Sequence, residues 1–154
     1  MATSKKPAPN ITNRRARYDY ALGDEFVVGM ELTGPEVRAA RDGHVQLKGA
    51  YVAVRKNELW LQNASFSLKL NQAGAPGARS IDDTPKRLLA KRREIDTLIV
   101  EKKQGMTIVP TKLLTHGNYI KLVIALGKGK KNYDKRETIK RRDQDRETQR
   151  QLKR

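Results

Sequence analysis

The sequence predicts a mainly β protein, an antiparallel barrel with short helices, followed by a basic tail that is disordered when free. Apolar and polar residues alternate over several short stretches, and glycine, proline and asparagine separate these stretches. No core-forming segment follows residue 127. The chain has 154 residues, which suits one domain with appendages. We therefore expect a flexible arm over residues 1–12, a barrel over residues 13–127 and a tail over residues 128–154.

The strands are predicted from the period-two pattern of apolar residues. The alternating segments are 26–32, 66–70 and 120–126, with further strand material at 106–110 and 112–115. Asn57 separates residues 50–56 from residues 58–62, which predicts a hairpin with Trp60 on its second arm.

Two segments break this pattern and predict helices. Residues 34–43 have Pro35 in the first turn and Gly43 at the end. A longer helix is predicted to begin with Thr84 as its N-cap, with Asp82 and Asp83 beside its dipole, and to end near Gly105. Its predicted apolar stripe is Leu88, Ile95, Leu98 and Ile99, and its predicted basic face is Lys86, Arg87, Lys91, Arg92 and Arg93. Residues 71–83, rich in Gly, Ala and Pro, are predicted to be a loop.

Five or six short antiparallel strands with an inserted helix match an oligonucleotide/oligosaccharide-binding (OB) barrel. An SH3-like barrel fits the pattern almost as well. The pattern thus predicts the fold class and leaves the strand topology open.

The charge indicates a polyanionic partner. The chain has 33 Lys and Arg against 17 Asp and Glu, a formal charge of +16. Residues 128–154 hold 12 and 5 of these, or +7, which leaves +9 on the rest. Nucleic acid is the usual partner of such a protein, and an anionic membrane a less common one. No apolar run predicts a transmembrane helix or a signal peptide, so we expect a cytoplasmic protein without a membrane partner.

The tail has too little apolar surface to fold alone. Its large aliphatic residues are Ile139 and Leu152, which cannot offset roughly 1–2 kcal/mol of backbone entropy per residue. No Gly or Pro follows Gly129, and opposite charges recur at helical spacing. We interpret the tail as a helix that forms against a polyanionic scaffold, the alternative being a solubilising or non-specific basic tail.

No catalytic or metal site is predicted. The absence of cysteine excludes disulfides, thiolate zinc sites and thiol nucleophiles. His44 and His116 lie at predicted turns without a partner at ligand spacing. Residues 127–131 (GKGKK) resemble a phosphate-binding loop only superficially, because no Ser or Thr and no apolar helix follow. We expect no enzymatic activity, no cofactor and no metal.

Residues that bind RNA are plentiful instead. Residues 13–20 (NRRARYDY) combine three arginines with two tyrosines, which suits phosphate contacts and base stacking on single-stranded or looped RNA. Tyr18 or Tyr20 fits equally well as a core aromatic of the first strand, and the basic face of the second helix fits a solvated exterior. Tyr133, isolated among charges, favours stacking on a partner.

Longer motifs carry a family resemblance. They are NRRARYDY (13–20), GMELTGPEVRAARDG (29–43), RLLAKRREID (87–96), GMTIVP (105–110) and IALGKGKKNYDKRETIKRRD (124–143). In this order and at these spacings they closely resemble the SsrA-binding protein (small protein B) family of bacterial trans-translation. The likeness runs from Asn13 to Asp143, and GKGKKxYDKR followed by a basic tail is highly specific to that family.

The resemblance implies an OB barrel that grips the tRNA-like part of transfer-messenger RNA around its elbow. It implies a tail that enters the empty mRNA channel of a stalled 70S ribosome, becomes helical there, and stands in for the missing codon–anticodon pairing near small-subunit rRNA. Elongation factor Tu is the partner implied in the delivery complex. The barrel residues implied to bind RNA are Asn13, Arg15, Arg17, Tyr20, Val27, Leu89, Lys91 and Arg92. The tail residues implied at the decoding centre are Lys128, Lys130, Lys131, Tyr133, Asp134, Lys135 and Arg136.

Val27 stands where the family commonly has Glu, and the alternation places it on the outward face. This departure predicts a rearranged RNA contact. The distal tail has Leu152 alone where an apolar pair is usual in the family.

Taken with its charge and its family resemblance, the sequence predicts a monomeric RNA-binding protein of ribosome rescue. The rivals are a ribosomal or assembly protein that uses a basic barrel and tail as structural glue and, more distantly, an enzyme that acts on RNA.

Overall fold

The structure is a computed structural model that describes residues 10–70 and 77–153. Its strands form a closed antiparallel barrel and a small second sheet. Within these residues the strands are β1 (Ile11–Thr12), β2 (Tyr20–Met30), β3 (Val45–Gln46), β4 (Tyr51–Arg55), β5 (Glu58–Gln62), β6 (Ser65–Lys69), β7 (Arg79–Asp82), β8 (Lys86–Leu89), β9 (Thr107–Leu114) and β10 (Lys121–Gly129). The helices are α1 (Arg14–Asp19), α2 (Gly34–Arg41), α3 (Arg92–Lys103) and α4 (Asn132–Leu152).

The strand order of the larger sheet is β1-β9-β10-β2-β8-β5-β4, and the smaller sheet has the order β3-β6-β7. A pairing between Val52 of β4 and Ile108 of β9 closes the larger sheet into a ring. Closure removes two sheet edges that would otherwise be open to pairing with another chain. The predicted mainly β, OB-like fold class is confirmed.

The alternating segments of β2 and β10 face the barrel core as predicted, whereas residues 66–69 belong to the smaller sheet. Leu122 and Ile124 of β10 and Val28 of β2 are buried at the centre of the core, whereas Val27 faces outward. Because successive strand residues point to opposite faces, this register puts the aliphatic set on one side of the sheet. The predicted hairpin is also confirmed. Lys56 (φ 48°) and Asn57 (φ 60°) form its two-residue turn between β4 and β5, and positive φ at both positions is typical of a type I′ turn.

The two predicted pieces at 106–110 and 112–115 are a single strand, β9, with a bulge. Its register on β10 shifts by one residue between the pairs Val123–Lys112 and Ile124–Pro110, which leaves Thr111 as the extra residue. Pro has no N–H to donate to a ladder, so a bulge is where a strand tolerates it. The Thr111 hydroxyl donates to the Val123 carbonyl at 3.1 Å and holds the bulge in place.

The predicted start of the longer helix is wrong. Residues 86–89 form β8, which lies between β2 and β5, and α3 begins only at Arg92. Lys86 and Leu88 are buried while Arg87 and Leu89 are exposed, a period of two rather than 3.6. Thr84-Pro85 has the composition of a helix start, but the fixed φ of proline also suits the entry to an extended segment. Asp82 correspondingly lies in β7 and not at a helix N-terminus.

The ends of the barrel differ slightly from the predicted boundaries. Ile11–Thr12, within the predicted arm, pairs with β9, and β10 continues to Gly129. The smaller sheet includes Arg79–Asp82, which the sequence assigned to a loop; residues 71–76 of that loop and 1–9 of the arm lie outside the described residues. The tail contains α4, a helix of 21 residues of which none is buried. No helix in residues 10–70 and 77–153 has the length and apolar composition needed to cross a membrane.

Candidate nucleic-acid interface

The short helix α1 is anchored on the barrel by Asn13. Its side-chain oxygen accepts the Ala16 N–H at 3.3 Å and caps the helix, and its amide nitrogen donates to the carbonyls of Leu47 (3.0 Å) and Pro110 (2.9 Å). The side chain is buried, and both of its amide protons are used inside the protein. Asn13, predicted to contact RNA, is therefore placed as a residue that positions α1, with no free donor for a ligand.

Helix α1 presents its arginines outward. Arg14, Arg15 and Arg17 are exposed. Arg15 donates to Asp19 at 2.9 Å, and its guanidinium lies 4.9 Å from the centre of the Tyr18 ring. Tyr18 thus belongs to a surface helix and not to the first strand. Slight burial of the Asp19 carboxyl opposes its ionisation, yet the hydrogen bonds from Arg15 and Lys135 outweigh this and hold the pKa of Asp19 below its ordinary value.

Tyr20 begins β2, directly after α1, and pairs with Gly129 of β10. A side chain at Gly127 would bring its Cβ to 3.0 Å from the Tyr20 Cβ, so the glycine makes room for the aromatic ring. Tyr20 is half-buried. It therefore combines a packing role with a ring that is partly available to a partner.

The first tail residues contact α1. The Lys130 amide donates to the Asp19 carbonyl (2.9 Å) and its ammonium to the Arg17 carbonyl (3.1 Å). The Lys135 ammonium lies 3.3 Å from the Asp19 carboxylate and 5.7 Å from the centre of the Tyr18 ring. The structure thus joins two sets of residues that the sequence predicted for different partners, the α1 arginines and the start of the tail.

The remaining predicted tail residues are mostly free to meet a partner. Lys128, Lys131, Tyr133 and Arg136 are exposed. The carboxylate of Asp134 accepts the Lys131 N–H at 3.3 Å and caps the first turn of α4. Carboxylates at a helix N-terminus stabilise the helix by satisfying an orphan donor and by interacting with its dipole, so Asp134 has a structural role here.

A second group of predicted residues lies elsewhere on the barrel. Val27 is 52% exposed and Leu89 is 51% exposed, and Leu89 pairs with Gly29, two residues along β2 from Val27. Residues two apart in a strand share a face, so these apolar side chains form one small patch beside Lys91 and Arg92, which are exposed at the start of α3. Arg92 is paired with Asp96 at 3.2 Å within the helix.

Strand β2 connects the two groups. Val27 follows Tyr20 by seven residues along this strand, a span of at most about 23 Å, and the register shift at residues 23–24 shortens it. The predicted RNA-binding residues are therefore not one cluster but two patches, one on α1 and the tail and one around β8 and α3.

Two members of the predicted basic face, Lys86 and Arg87, lie on β8 and pair with carboxylates of the body. Lys86 is buried and pairs with the Glu36 carboxylate and, at 2.9 Å, with Asp82. Glu36 also accepts the Thr33 N–H at the start of α2, so Lys86 connects α2, β7 and β8. Arg87 pairs with Glu58 at 2.7 Å and Glu31 at 3.5 Å. The part of the predicted face that is exposed on α3 is Lys91, Arg92 and Arg93.

Sequence reasoning missed a cleft between α1, residues 45–48 and α4. Arg14, Lys48 and Arg142 line it. These residues are far apart in the sequence, and no local pattern joins them. Asp19 was also missed as an organising residue, although its i,i+4 spacing from Arg15 is a recognisable signal. No group of three or more His, Asp or Glu in the described part of the chain could hold a metal ion.

Comparison with known proteins identifies the family. The model of the family described as "SmpB protein" matches residues 10–154. The SsrA-binding protein of Coxiella burnetii (strain CbuK_Q154) is 43% identical over 153 residues, which cover 97% of this chain and 95% of that protein. The SsrA-binding protein of Lacticaseibacillus casei (strain BL23) is 39% identical over 159 residues, which cover 99% and 98% of the two chains.

A solved structure described as "tmRNA-SmpB: a journey to the center of the bacterial ribosome" contains a similar chain. That chain is 30% identical, with a TM-score of 0.61, and the match covers 81% of this chain and 87% of that one. The family match thus extends over nearly the whole chain. It includes the barrel, the cationic helix α1, the GKGKKNYDKR segment and the basic helix α4. The chain belongs to the SmpB protein family.

Proposed function

We propose that this protein binds the tRNA-like part of transfer-messenger RNA with its barrel and delivers it to stalled ribosomes, where the tail enters the empty mRNA channel. It is an RNA-binding protein and has no catalytic activity of its own. The names of its relatives, SsrA-binding proteins, support the RNA partner, and the ribosomal subject of the related structure supports the site of action. Elongation factor Tu as a third partner, a monomeric state and a cytoplasmic location belong to this proposal.

The observation that carries the proposal is the contrast between body and tail. The barrel has a continuous core and an arginine-rich helix on its surface, as a protein that holds a structured RNA requires. Helix α4 has no buried residue, so no core packing holds it against the body. Phosphate-lined surroundings would neutralise its charge and stabilise the helix.

Removal of residues 132–154 should separate RNA binding from action on the ribosome. The shortened chain keeps β10 and the Lys130 contacts to α1, so its affinity for transfer-messenger RNA should stay within about tenfold of that of the full chain. Peptide tagging on stalled ribosomes should be lost. Loss of RNA binding in the shortened chain would contradict the division of function between body and tail.

Sedimentation of ribosomal subunits with the full-length protein tests the rival function. Co-sedimentation with every subunit at unit stoichiometry would favour a structural ribosomal protein.

A triple variant tests the predicted decoding-centre segment. Tyr133→Ala with Lys135→Ala and Arg136→Ala should spare binding to transfer-messenger RNA and impair tagging. The matched control is Lys140→Ala with Arg141→Ala and Gln144→Ala, which also removes two cations and one neutral side chain from α4 and should leave tagging nearly unchanged. Equal tagging by the two triple variants would refute the special role of residues 133–136.

A further inference from the structure

The cleft between body and tail is a cationic surface that has no role in the function proposed above. It is open to solvent, has a volume of about 540 Å³, and is lined by α1, residues 45–48 and Arg142 of α4. Its cations are Arg14, Arg15, Lys48 and Arg142, and no Asp or Glu is among its lining residues. Of the residues that the family resemblance implies to bind RNA or to lie at the decoding centre, Asn13 and Arg15 alone line this cleft.

The position of α4 follows from the contacts at its start. Lys130 is bonded to the Arg17 and Asp19 carbonyls, and Lys135 pairs with Asp19. Arg142 follows Lys135 by seven residues, about two helical turns, and therefore lies on the same face of α4. That face is the one turned to α1, so the tail forms one wall of the cleft and the body forms the other.

The charges of the two walls are of the same sign. Arg15 has a carboxylate partner, Asp19. Among the described residues no carboxylate pairs with Arg14, Lys48 or Arg142, as the ion pairs of the structure show. Cations that line one cleft repel each other, and an anion bound between them would be attracted to all three.

The shape and chemistry of the cleft select the kind of anion. Its volume is in the range of sites that hold one small ligand, which suits one or two nucleotides of a strand rather than a duplex. Tyr18, half-buried in its wall, provides an aromatic face next to the arginines. Cationic side chains that alternate with an aromatic ring are typical of surfaces that bind single-stranded nucleic acid.

We propose that this cleft binds a single-stranded RNA segment, held by Arg14 and Lys48 of the body and by Arg142 of the tail. The site is complete only while α4 is docked on α1, so RNA in the cleft holds the tail in that orientation. The proposal deepens the proposed function and rests on it for the identity of the polyanion as RNA. The cleft is distinct from the Val27–Leu89 patch, because neither of these residues lines it.

The test compares two arginines of the same helix in the full-length protein. Arg142→Ala removes a cation from the cleft, whereas Arg150→Ala removes an exposed cation from the distal part of α4. Binding of decauridine, of a ten-base-pair RNA duplex and of transfer-messenger RNA is measured by fluorescence anisotropy over a series of salt concentrations. Because both positions are exposed, neither substitution should unfold the protein, and thermal melting checks this for each variant.

Arg142→Ala should weaken decauridine binding several-fold and lower the slope of log affinity against log salt by about 0.7, the value expected for one lost phosphate contact on a single strand. Lys48→Ala should do the same, Arg150→Ala should do neither, and duplex binding should respond equally to Arg142→Ala and Arg150→Ala. Equal effects of these two variants on decauridine would overturn the cleft proposal even if transfer-messenger RNA binds tightly. Failure of the wild-type protein to bind transfer-messenger RNA, with the decauridine difference intact, would overturn the proposed function and leave the cleft standing.

Discussion

Lys86 is a buried cation whose partners come from two other elements. Glu36 belongs to α2 and Asp82 to β7, and the ammonium also donates to the Thr84 hydroxyl at 2.8 Å. A buried charge is tolerated when each of its donors finds an acceptor. This cluster therefore stabilises one arrangement of three elements around the core, and it accounts for a lysine in a strand that is otherwise buried on that face.

We expect Lys86→Ala to lower the free energy of unfolding by about 3–5 kcal/mol, because it leaves the Glu36 carboxylate buried without its partner. Chemical denaturation measures the loss. Lys91→Ala, at an exposed position, is the control and should change stability by about 0.5 kcal/mol or less. Glu36→Gln in the Lys86→Ala background should restore part of the loss. Equal stabilities of the Lys86 and Lys91 variants would show that the buried ion cluster contributes nothing.

The same cluster predicts the pH dependence of stability. The hydrogen bond from Lys86 holds the pKa of Asp82 well below its ordinary value. Burial lowers the pKa of Lys86, but hydrogen bonds and charge interactions with Glu36 and Asp82 outweigh it and raise that pKa above its ordinary value. The contribution of ionised Asp82 to the free energy of unfolding is complete above its unfolded pKa of about 3.9. It is lost as the pH falls through its lower pKa in the folded protein. The contribution of Lys86 is complete below about pH 10.4 and is lost as pH rises through its raised value.

Stability should therefore be nearly flat from about pH 5 to 10 with respect to these groups and should fall on either side. Denaturation of the wild-type protein and of Asp82→Asn at pH 7 and pH 3 checks the acid limb. The gap between the two proteins should narrow at pH 3. A gap that stays the same at both pH values would mean that ionised Asp82 does not stabilise the fold.

At the scale of elements, the β4–β5 hairpin depends on a turn that its residues adopt at a cost. Lys56 and Asn57 have positive φ, a region that asparagine and glycine enter more readily than lysine. We expect Lys56→Asn with Asn57→Gly, the preferred type I′ pair, to raise the free energy of unfolding by about 0.5–1 kcal/mol. Thermal melting measures this. Asn57→Val should lower stability, and a gain from that variant would exclude the type I′ turn as the determinant.

The helix α3 and strand β8 show how an element is decided by its neighbours. KRLL could continue a helix by composition, yet β8 pairs on both sides, with Gly29 and Met30 of β2 and with residues 59–61 of β5. Between two strands, such a segment can form backbone hydrogen bonds on both sides, which an exposed helical turn could not. The helix then starts where Glu94 can accept the Lys91 N–H at 3.1 Å and cap it.

At the scale of the whole molecule, the chain divides into a body with a core and a helix without one. Removal of residues 132–154 should change the free energy of unfolding of the body by about 1 kcal/mol or less, because the main interaction it removes is the partly exposed Lys135–Asp19 ion pair. Denaturation of the full and shortened chains measures the difference. A loss of several kcal/mol would mean that α4 is an integral part of the fold.

Hydrogen exchange on the full chain gives the complementary measurement. Amides of α4 beyond Arg142 should exchange at rates near those of an unfolded peptide when no RNA is present, since helices without tertiary packing are marginal in water. The core amides of β10 should be protected with the global stability. Protection of the distal α4 amides equal to that of β10 would contradict the prediction that this segment is disordered when free.

The β class, the β4–β5 hairpin, helix α2, the division of charge between body and tail, and the family resemblance could all be predicted from the amino-acid sequence. These follow from local patterns, in which alternation, turn residues and motif spacing act over a few positions. The three-dimensional structure was needed to show that Lys86 is buried, that the Asn13 side chain is hydrogen-bonded inside the fold, that residues 86–89 are a strand, and that Arg14, Lys48 and Arg142 line one cleft. Each of these depends on partners distant in the chain, such as Glu36 for Lys86 and Pro110 for Asn13. Whether a residue is buried or paired depends on which distant segments contact it in the folded chain. A local sequence pattern does not contain that information.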